Sequence, residues 1–419
     1  MFRFDQTFRD EFRNNWIYLL IGFAALFFGF SAPAYALPFL YPEVIKEFGW
    51  TREQATLLAS AKYFTGAIAC LVVGRLLDVI GVWIALLGSI TIGAIACIAF
   101  LWVNDLTTYY VIGIMLGVAG PCAIVSVFVL VARTFHASQG TATGVALLGT
   151  GLGGVVMPVV TEALMSHFGW RYAMALLSLG IWLIALPLLV YGLLRLRIGE
   201  EAVAEAEAKQ APVGVLVHLG RLAKGRDFWL MSIAFFVITI VDQAFTQHQV
   251  LMLNDAGIST EMAALAIGAI GLLSMPGRIV AGGVLDKSSS RGLAVLYINF
   301  ALAALFALML GNVILLVAFI VVRAMAHASA MIDGPVIARH TFGTRHLGVL
   351  LGLFTATANL GSATGPWLMG RMYDATSSYN LALYLFVGLV AVSAVLIWLV
   401  RPVVWQGEKA SAVAQGASQ

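Results

Sequence analysis

Twelve stretches of this chain are each long and apolar enough to cross a bilayer, and that pattern leaves few folds open. A helix rises about 1.5 Å per residue, so roughly 20 apolar residues span a hydrocarbon core of about 30 Å. The runs fall at approximately 16–41, 54–77, 81–103, 107–132, 142–166, 171–195, 228–253, 261–285, 292–311, 313–338, 347–370 and 379–400. In lipid, backbone polar groups must be satisfied within the segment itself, which selects helices for runs of this length. The expected fold is an all-α polytopic membrane protein with twelve transmembrane helices. Composition agrees, since 61% of residues are hydrophobic and 11% charged, against roughly 25% charged in soluble domains. The net charge of +3 does not mark a nucleic-acid binder, because the basic residues sit at the ends of apolar runs.

Those basic residues also predict orientation. With the N-terminus inside, segments such as those holding Arg3, Arg9, Arg13, Arg195, Lys287, Arg291 and Arg401 are cytoplasmic. Lys46, Arg52, Arg171 and Arg371 fall outside, and Lys62, Arg278 and Arg323 remain within the membrane. Both termini are therefore expected in the cytoplasm, with the protein in the plasma or inner membrane. The stretch Ile17 to Phe30 followed by Ala34-Tyr35-Ala36 has the outline of a cleaved signal. It is read as a retained first helix, because acids Asp5, Asp10 and Glu11 precede it and a repeat requires it. Cys70, Cys97 and Cys122 lie in apolar runs without metal-ligand spacing. No catalytic triad or P-loop lysine is present, so no enzyme and no cofactor is expected.

The repeat has a constant offset. Gly74-Arg75-Leu76-Leu77-Asp78 matches Gly282-Gly283-Val284-Leu285-Asp286, and Gly49 matches Gly257. Gly144, Gly153 and Pro158 match Gly352, Gly361 and Pro366, each pair 208 positions apart. The expected organisation is two pseudo-symmetric six-helix halves, 1–197 and 228–400, joined by a cytoplasmic linker at 198–227 and followed by a tail at 401–419. A short surface helix is expected at about Pro212 to Ala223. In folds of this kind the substrate site lies near the midplane between the halves.

Several motifs together resemble the major facilitator superfamily, specifically its monocarboxylate porter branch. They are Glu47-Phe48-Gly49-Trp50-Thr51-Arg52, Gly74-x-x-x-Asp78-x-x-Gly81, Gly140-Thr141-Ala142-Thr143-Gly144 and Phe168-Gly169-Trp170-Arg171. The second half adds Pro276-Gly277-Arg278 with Gly282-x-x-x-Asp286, Gly361-x-x-x-Gly365-Pro366 and Gly370-Arg371-Met372-Tyr373-Asp374. The resemblance implies alternating-access transport of an organic carboxylate, gating by Asp78 and Asp286 with Gly74 and Gly282, and an arginine at position 278 that binds the carboxylate. It also implies an acid one turn before that arginine and a lysine in the first helix. This chain has Ser274 and, by alignment, Tyr35 at those positions.

A permanent charge in an apolar run costs several kcal/mol, with estimates from about 3 to over 10, so Arg278 reads as a functional site. Its planar fork suits a carboxylate; the alternative is a structural ion pair with Asp242 or Asp333. Arg323 and His327 lie one turn apart. They either hold the bundle through Asp333 or Asp242, or meet a second polar group on the substrate. Thr239, Gln243, Thr246 and Gln247 share one face of the seventh helix. With Thr355, Asn359 and Ser362, and with Ser31 and Tyr35, they are expected to line the cavity. Asp242, His248, His327 and Asp333 are the candidate proton carriers, Asp242 preferred. The expected partners are an organic carboxylate, protons and the lipid bilayer, with no nucleic acid, and the chain is expected to be a monomer. Exchange or export, dicarboxylate or aromatic-acid transport, and more remotely a carboxylate receptor, are the alternatives.

Overall fold

The computed structural model describes residues 6–135, 139–196, 225–343 and 347–406. Most of the 198–227 linker with its expected surface helix, and the tail beyond Gln406, lie outside the described residues. Among those described, the chain is all helix, without strands.

Twelve helices follow in order among the described residues. They are α1 (6–48), α2 (Arg52–Ile80), α3 (Val82–Trp102), α4 (Leu106–Thr134), α5 (139–168) and α6 (170–195). The second set is α7 (Arg226–Asp255), α8 (260–288), α9 (290–307), α10 (Val313–Phe342), α11 (Leu347–Thr376) and α12 (Asn380–Trp398). Between α5 and α6, and between α8 and α9, the helical path is broken at single residues, Gly169 (φ 76°) and Ser289 (φ 49°). Polar side chains start two other helices. Asp105 accepts from the Thr108 backbone N–H at the head of α4, a bond that holds its carboxyl below the usual range. Asn312 accepts from the Ile314 N–H at the head of α10.

The backbone carries the 208-residue repeat more sharply than the letters do. Left-handed residues occur at 49 and 257, at 81 and 289, and at 169 and 377. Glycine occupies four of these six positions; Ser289 and Ser377 take a positive φ without it. Packing repeats too. A Cβ on Gly153 would collide with Ser31 of α1, and one on Gly361 with Thr239 of α7, and both partners are again 208 apart.

The chain divides into two compact units. One comprises Met1–Trp50, Leu57–Ala211 and Thr260–Gly268; the other comprises Thr51–Thr56, Pro212–Ser259 and Ala269–Gln419. The first is built on an apolar core of Leu26, Ile90, Val127, Ala146 and Ile181, all buried. Residues Ala25–Ser31 of α1 are wound as a π-helix, in which Ser31 Oγ donates to the Leu26 carbonyl at 2.9 Å. In the second unit α7 is the central element, buried along most of its length and packed on α10, α11 and α12. Its approach to α11 is close enough that a Cβ at Gly361 or Gly365 would meet the Phe236 or Ile240 carbonyl oxygen.

Candidate functional site

Charges within the second unit are distributed unequally. Arg323 of α10 is 2% exposed, and its Nη1 lies 2.9 Å from Asp242 Oδ1 of α7. Nη2 donates to the Asp242 carbonyl at 3.0 Å and to Thr246 Oγ1 at 2.9 Å. The guanidinium sits 5.7 Å from the Phe245 ring centroid and 5.8 Å from that of Phe300. His327, one turn along α10, places Nδ1 3.1 Å from the same Asp242 oxygen, and Gln243 Nε2 donates to the other at 3.1 Å. Arg323 is thus ion-paired with Asp242, and His327 lies against the same carboxylate oxygen.

Asp333 has a different environment. It accepts from the Tyr297 hydroxyl at 2.6 Å and from the Gly334 N–H at 2.6 Å. Both donors are neutral, and no cation faces it among the described residues. His248 is fully buried, with Nδ1 3.1 Å from the Tyr379 hydroxyl and Nε2 2.9 Å from the Pro366 carbonyl.

Arg278 is half-buried in α8. It has no ion pair among the described residues, and its Nε is buried without a hydrogen-bond partner. Neither Asp242 nor Asp333 neutralises it. Its neighbour Gly277 packs tightly on α10, where a Cβ would lie 3.0 Å from Ala328 and 3.9 Å from the Ala324 carbonyl. Arg278 therefore stands at the level of the α10 turn that carries Arg323 and His327. In the first unit, Lys62 of α2 is 7% exposed, and its contact is a cation–π approach to Tyr63 at 4.8 Å.

The hydroxyl-bearing stripe is largely occupied with its own helices. Thr239 donates to the Phe235 and Ala358 carbonyls, Thr246 to Asp242, Ser362 to Ala358 and Ser274 to Gly271. Gln243 and Gln247 are buried within the second unit. Asn359 is half-buried and donates to the carbonyl of Thr355, whose side chain is exposed. Tyr35, in the first unit, packs on Gly154, where a Cβ would lie 3.0 Å from its hydroxyl.

The glycines of the two gate motifs stand in open surroundings: a Cβ at Gly74 or Gly282 would meet nothing within 4 Å. Small residues permit close packing only where a neighbour arrives, as it does at Gly113, Gly117, Gly153, Gly361 and Gly365. Asp78 and Asp286 are exposed, and the Asp286 carbonyl accepts from Trp405 Nε1 at 3.2 Å.

Sequence reasoning missed a second polar cluster. In the first unit, Glu47 accepts from Arg171 at 2.6 Å and from Trp170 Nε1 at 2.7 Å, which explains the Glu47 and Trp170-Arg171 motifs together. In the second unit, Arg52 donates to both Asp255 oxygens at 2.7 Å and to the Tyr379 hydroxyl at 2.6 Å. Asp374 accepts from the Arg52 and Glu53 backbone N–H groups and so caps the start of α2. The signal was present in the repeat, because Asp255 and Tyr379 stand 208 positions after Glu47 and Arg171.

The Major Facilitator Superfamily model matches residues 19–314. The chain belongs to that superfamily. It is a multi-pass membrane protein of a transporter family. The MFS-type transporter opdF of Penicillium oxalicum is 24% identical over 333 residues, covering 77% of this chain and 74% of that protein. MFS-type transporter 1 of an Ophiocordyceps species is 26% identical over 270 residues, covering 62% of this chain and 56% of its own length. Among solved structures, the nucleoside transporter NupG aligns with a TM-score of 0.76 at 13% identity, over 91% of this chain and 99% of that one. That likeness is one of fold.

Proposed function

We propose that this transporter moves a small organic carboxylate by alternating access of its two six-helix halves, coupled to a proton. Arg278 carries the reading. It is a half-buried cation in a membrane-spanning helix with no carboxylate partner among the described residues, while Asp242 is engaged by Arg323 and His327. A substrate carboxylate supplies the missing counter-charge, and the guanidinium fork gives it two directed bonds. The resemblance to the monocarboxylate porters supports the same role.

Arg323 then acts as a strut and Arg278 as the anchor. A proton arriving at Asp242 would have to displace an existing ion pair. Asp333, which among the described residues is held by the Tyr297 hydroxyl and the Gly334 N–H, would exchange a proton without breaking one. We therefore assign the coupled proton to Asp333 rather than to Asp242, His248 or His327. The basic residues at the helix ends favour a cell-membrane protein with both termini in the cytoplasm.

A thermal-shift panel of monocarboxylates, dicarboxylates and aromatic acids on the purified protein tests this reading. Stabilisation by monocarboxylates, lost in Arg278→Gln, is expected. No response to any carboxylate would overturn it.

A further inference from the structure

The geometry points to a binding site for the phosphate of an anionic phospholipid headgroup in a basic cavity of about 620 Å³ formed by the second unit where α7, α9 and α12 begin or end. Four basic side chains line it: Arg226, Lys287, Arg291 and Arg401. Trp398 and Trp405 flank them, with the Arg291 guanidinium 5.7 Å from the Trp398 ring centroid. Two acids lie close by. Asp227 accepts from the Arg401 backbone N–H at 3.2 Å, and Asp286 adjoins Lys287 in sequence. Among the described residues, four cations against two carboxylates make the lining basic.

The cavity is fixed rather than a loose tangle of surface side chains. Ser290 Oγ, buried, donates to the Val400 carbonyl at 3.1 Å and ties the end of α12 to the start of α9. Trp405 Nε1 donates to the Asp286 carbonyl and ties the following turn to α8.

The fold does not require these charges. Counting back 208 positions from Arg226, Lys287, Arg291 and Arg401 reaches Tyr18, Val79, Trp83 and Leu193 in the first unit. The same architecture is therefore built there with apolar and aromatic residues. The first half keeps its own helix-end cations at other positions, Arg75 and Arg195, so the grouping of four cations at these matched positions belongs to the second half.

The surroundings select a lipid over a soluble phosphate. Beside the cations, Trp398 is 51% exposed, Leu399 43% and Val403 62%, an apolar and aromatic rim at the end of a membrane-spanning helix. Basic pockets between helices at the membrane surface bind phosphate-bearing headgroups, with arginine supplying paired donors. Acyl chains would lie along the exposed apolar residues while the phosphate meets the cations. The basic-residue count places this end of the helices on the inner leaflet.

The test uses the full chain in detergent, titrated with phosphatidylglycerol, phosphatidylcholine or inorganic phosphate and read by native mass spectrometry and thermal shift. Saturable binding of phosphatidylglycerol is expected, with at most weak binding of phosphatidylcholine. Lys287→Gln/Arg291→Gln/Arg401→Gln should weaken it at least tenfold, and Arg75→Gln in the first unit should leave it unchanged. If the triple variant misfolds, the exposed single variant Lys287→Gln should still weaken binding severalfold. Equal phosphatidylglycerol binding by wild type and variants would overturn the site. Phosphate stabilising as well as phosphatidylglycerol would overturn its assignment to lipid.

Discussion

Arg52 forks Asp255 through two hydrogen bonds of 2.7 Å each, in a pair whose side chains are 14% and 37% exposed. The equivalent acid in the first half, Glu47, takes its charge from Arg171. At the position equivalent to Arg171 the second half has Tyr379, a neutral residue, and Arg52 from the start of α2 supplies the cation instead. Tyr373 stacks beneath the same guanidinium, 3.6 Å from ring centroid to Cζ. The two compact units thus solve one electrostatic problem with different residues.

Arg52→Gln and Asp255→Asn should each lower stability by about 1 kcal/mol, the upper end for a partly exposed but bidentate pair. The double variant should cost little more than either single one, because both remove the same interaction. Thermal unfolding of the three variants in detergent checks this. Additive losses would mean that the two residues act separately.

The buried pair in the second unit should behave differently. Arg323→Leu leaves the buried Asp242 with His327 and the neutral Gln243 amide, and breaking a buried pair from one side costs about 3–5 kcal/mol. Arg323→Leu with Asp242→Leu should recover much of that loss, since no buried charge is then stranded. Unfolding midpoints of the single and double variants decide the matter.

Proton coupling separates Asp333 from Asp242. Asp333→Asn should abolish stimulation of uptake by an inward proton gradient while substrate exchange continues. Asp242→Asn should lower stability through the loss of its ion pair but leave coupling in whatever protein folds. Gradient-driven uptake that persists unchanged in Asp333→Asn would remove it as the carrier.

The glycines divide by what stands opposite them. Gly361→Ala places a methyl group against the Phe236 carbonyl oxygen and should cost about 1–3 kcal/mol through overpacking. Gly282→Ala meets nothing and should be neutral, or stabilising by up to about 1 kcal/mol through helix propensity. Thermal melts of the two variants give the comparison.

Much of this architecture was legible before any coordinates. Lipid forces each long apolar run into a helix, so the twelve runs appear as twelve helices, and the breaks at Gly169 and Ser289 fall between expected runs. Arg278 was legible for the same reason, as a charge in the wrong solvent. The partner of Arg323 was not, because the choice between Asp242 and Asp333 depends on how α7 and α10 are rotated. The open surroundings of Gly74 and Gly282 were not legible, because a small residue records permission for contact, not contact. Arg52 was hidden because it and Asp255 lie 203 positions apart and each sits where charge is ordinary.

The role of Arg278 in binding the anion is tested most directly by carboxylate uptake in proteoliposomes containing wild type, Arg278→Lys or Arg278→Gln. A hydrogen bond to a charged group contributes about 1.5–3 kcal/mol, so losing the fork should raise the half-saturating concentration roughly 10- to 100-fold, with Arg278→Gln the more severe. Wild-type uptake by Arg278→Gln, in protein that is folded and correctly inserted, would contradict the assignment of Arg278 as the carboxylate anchor.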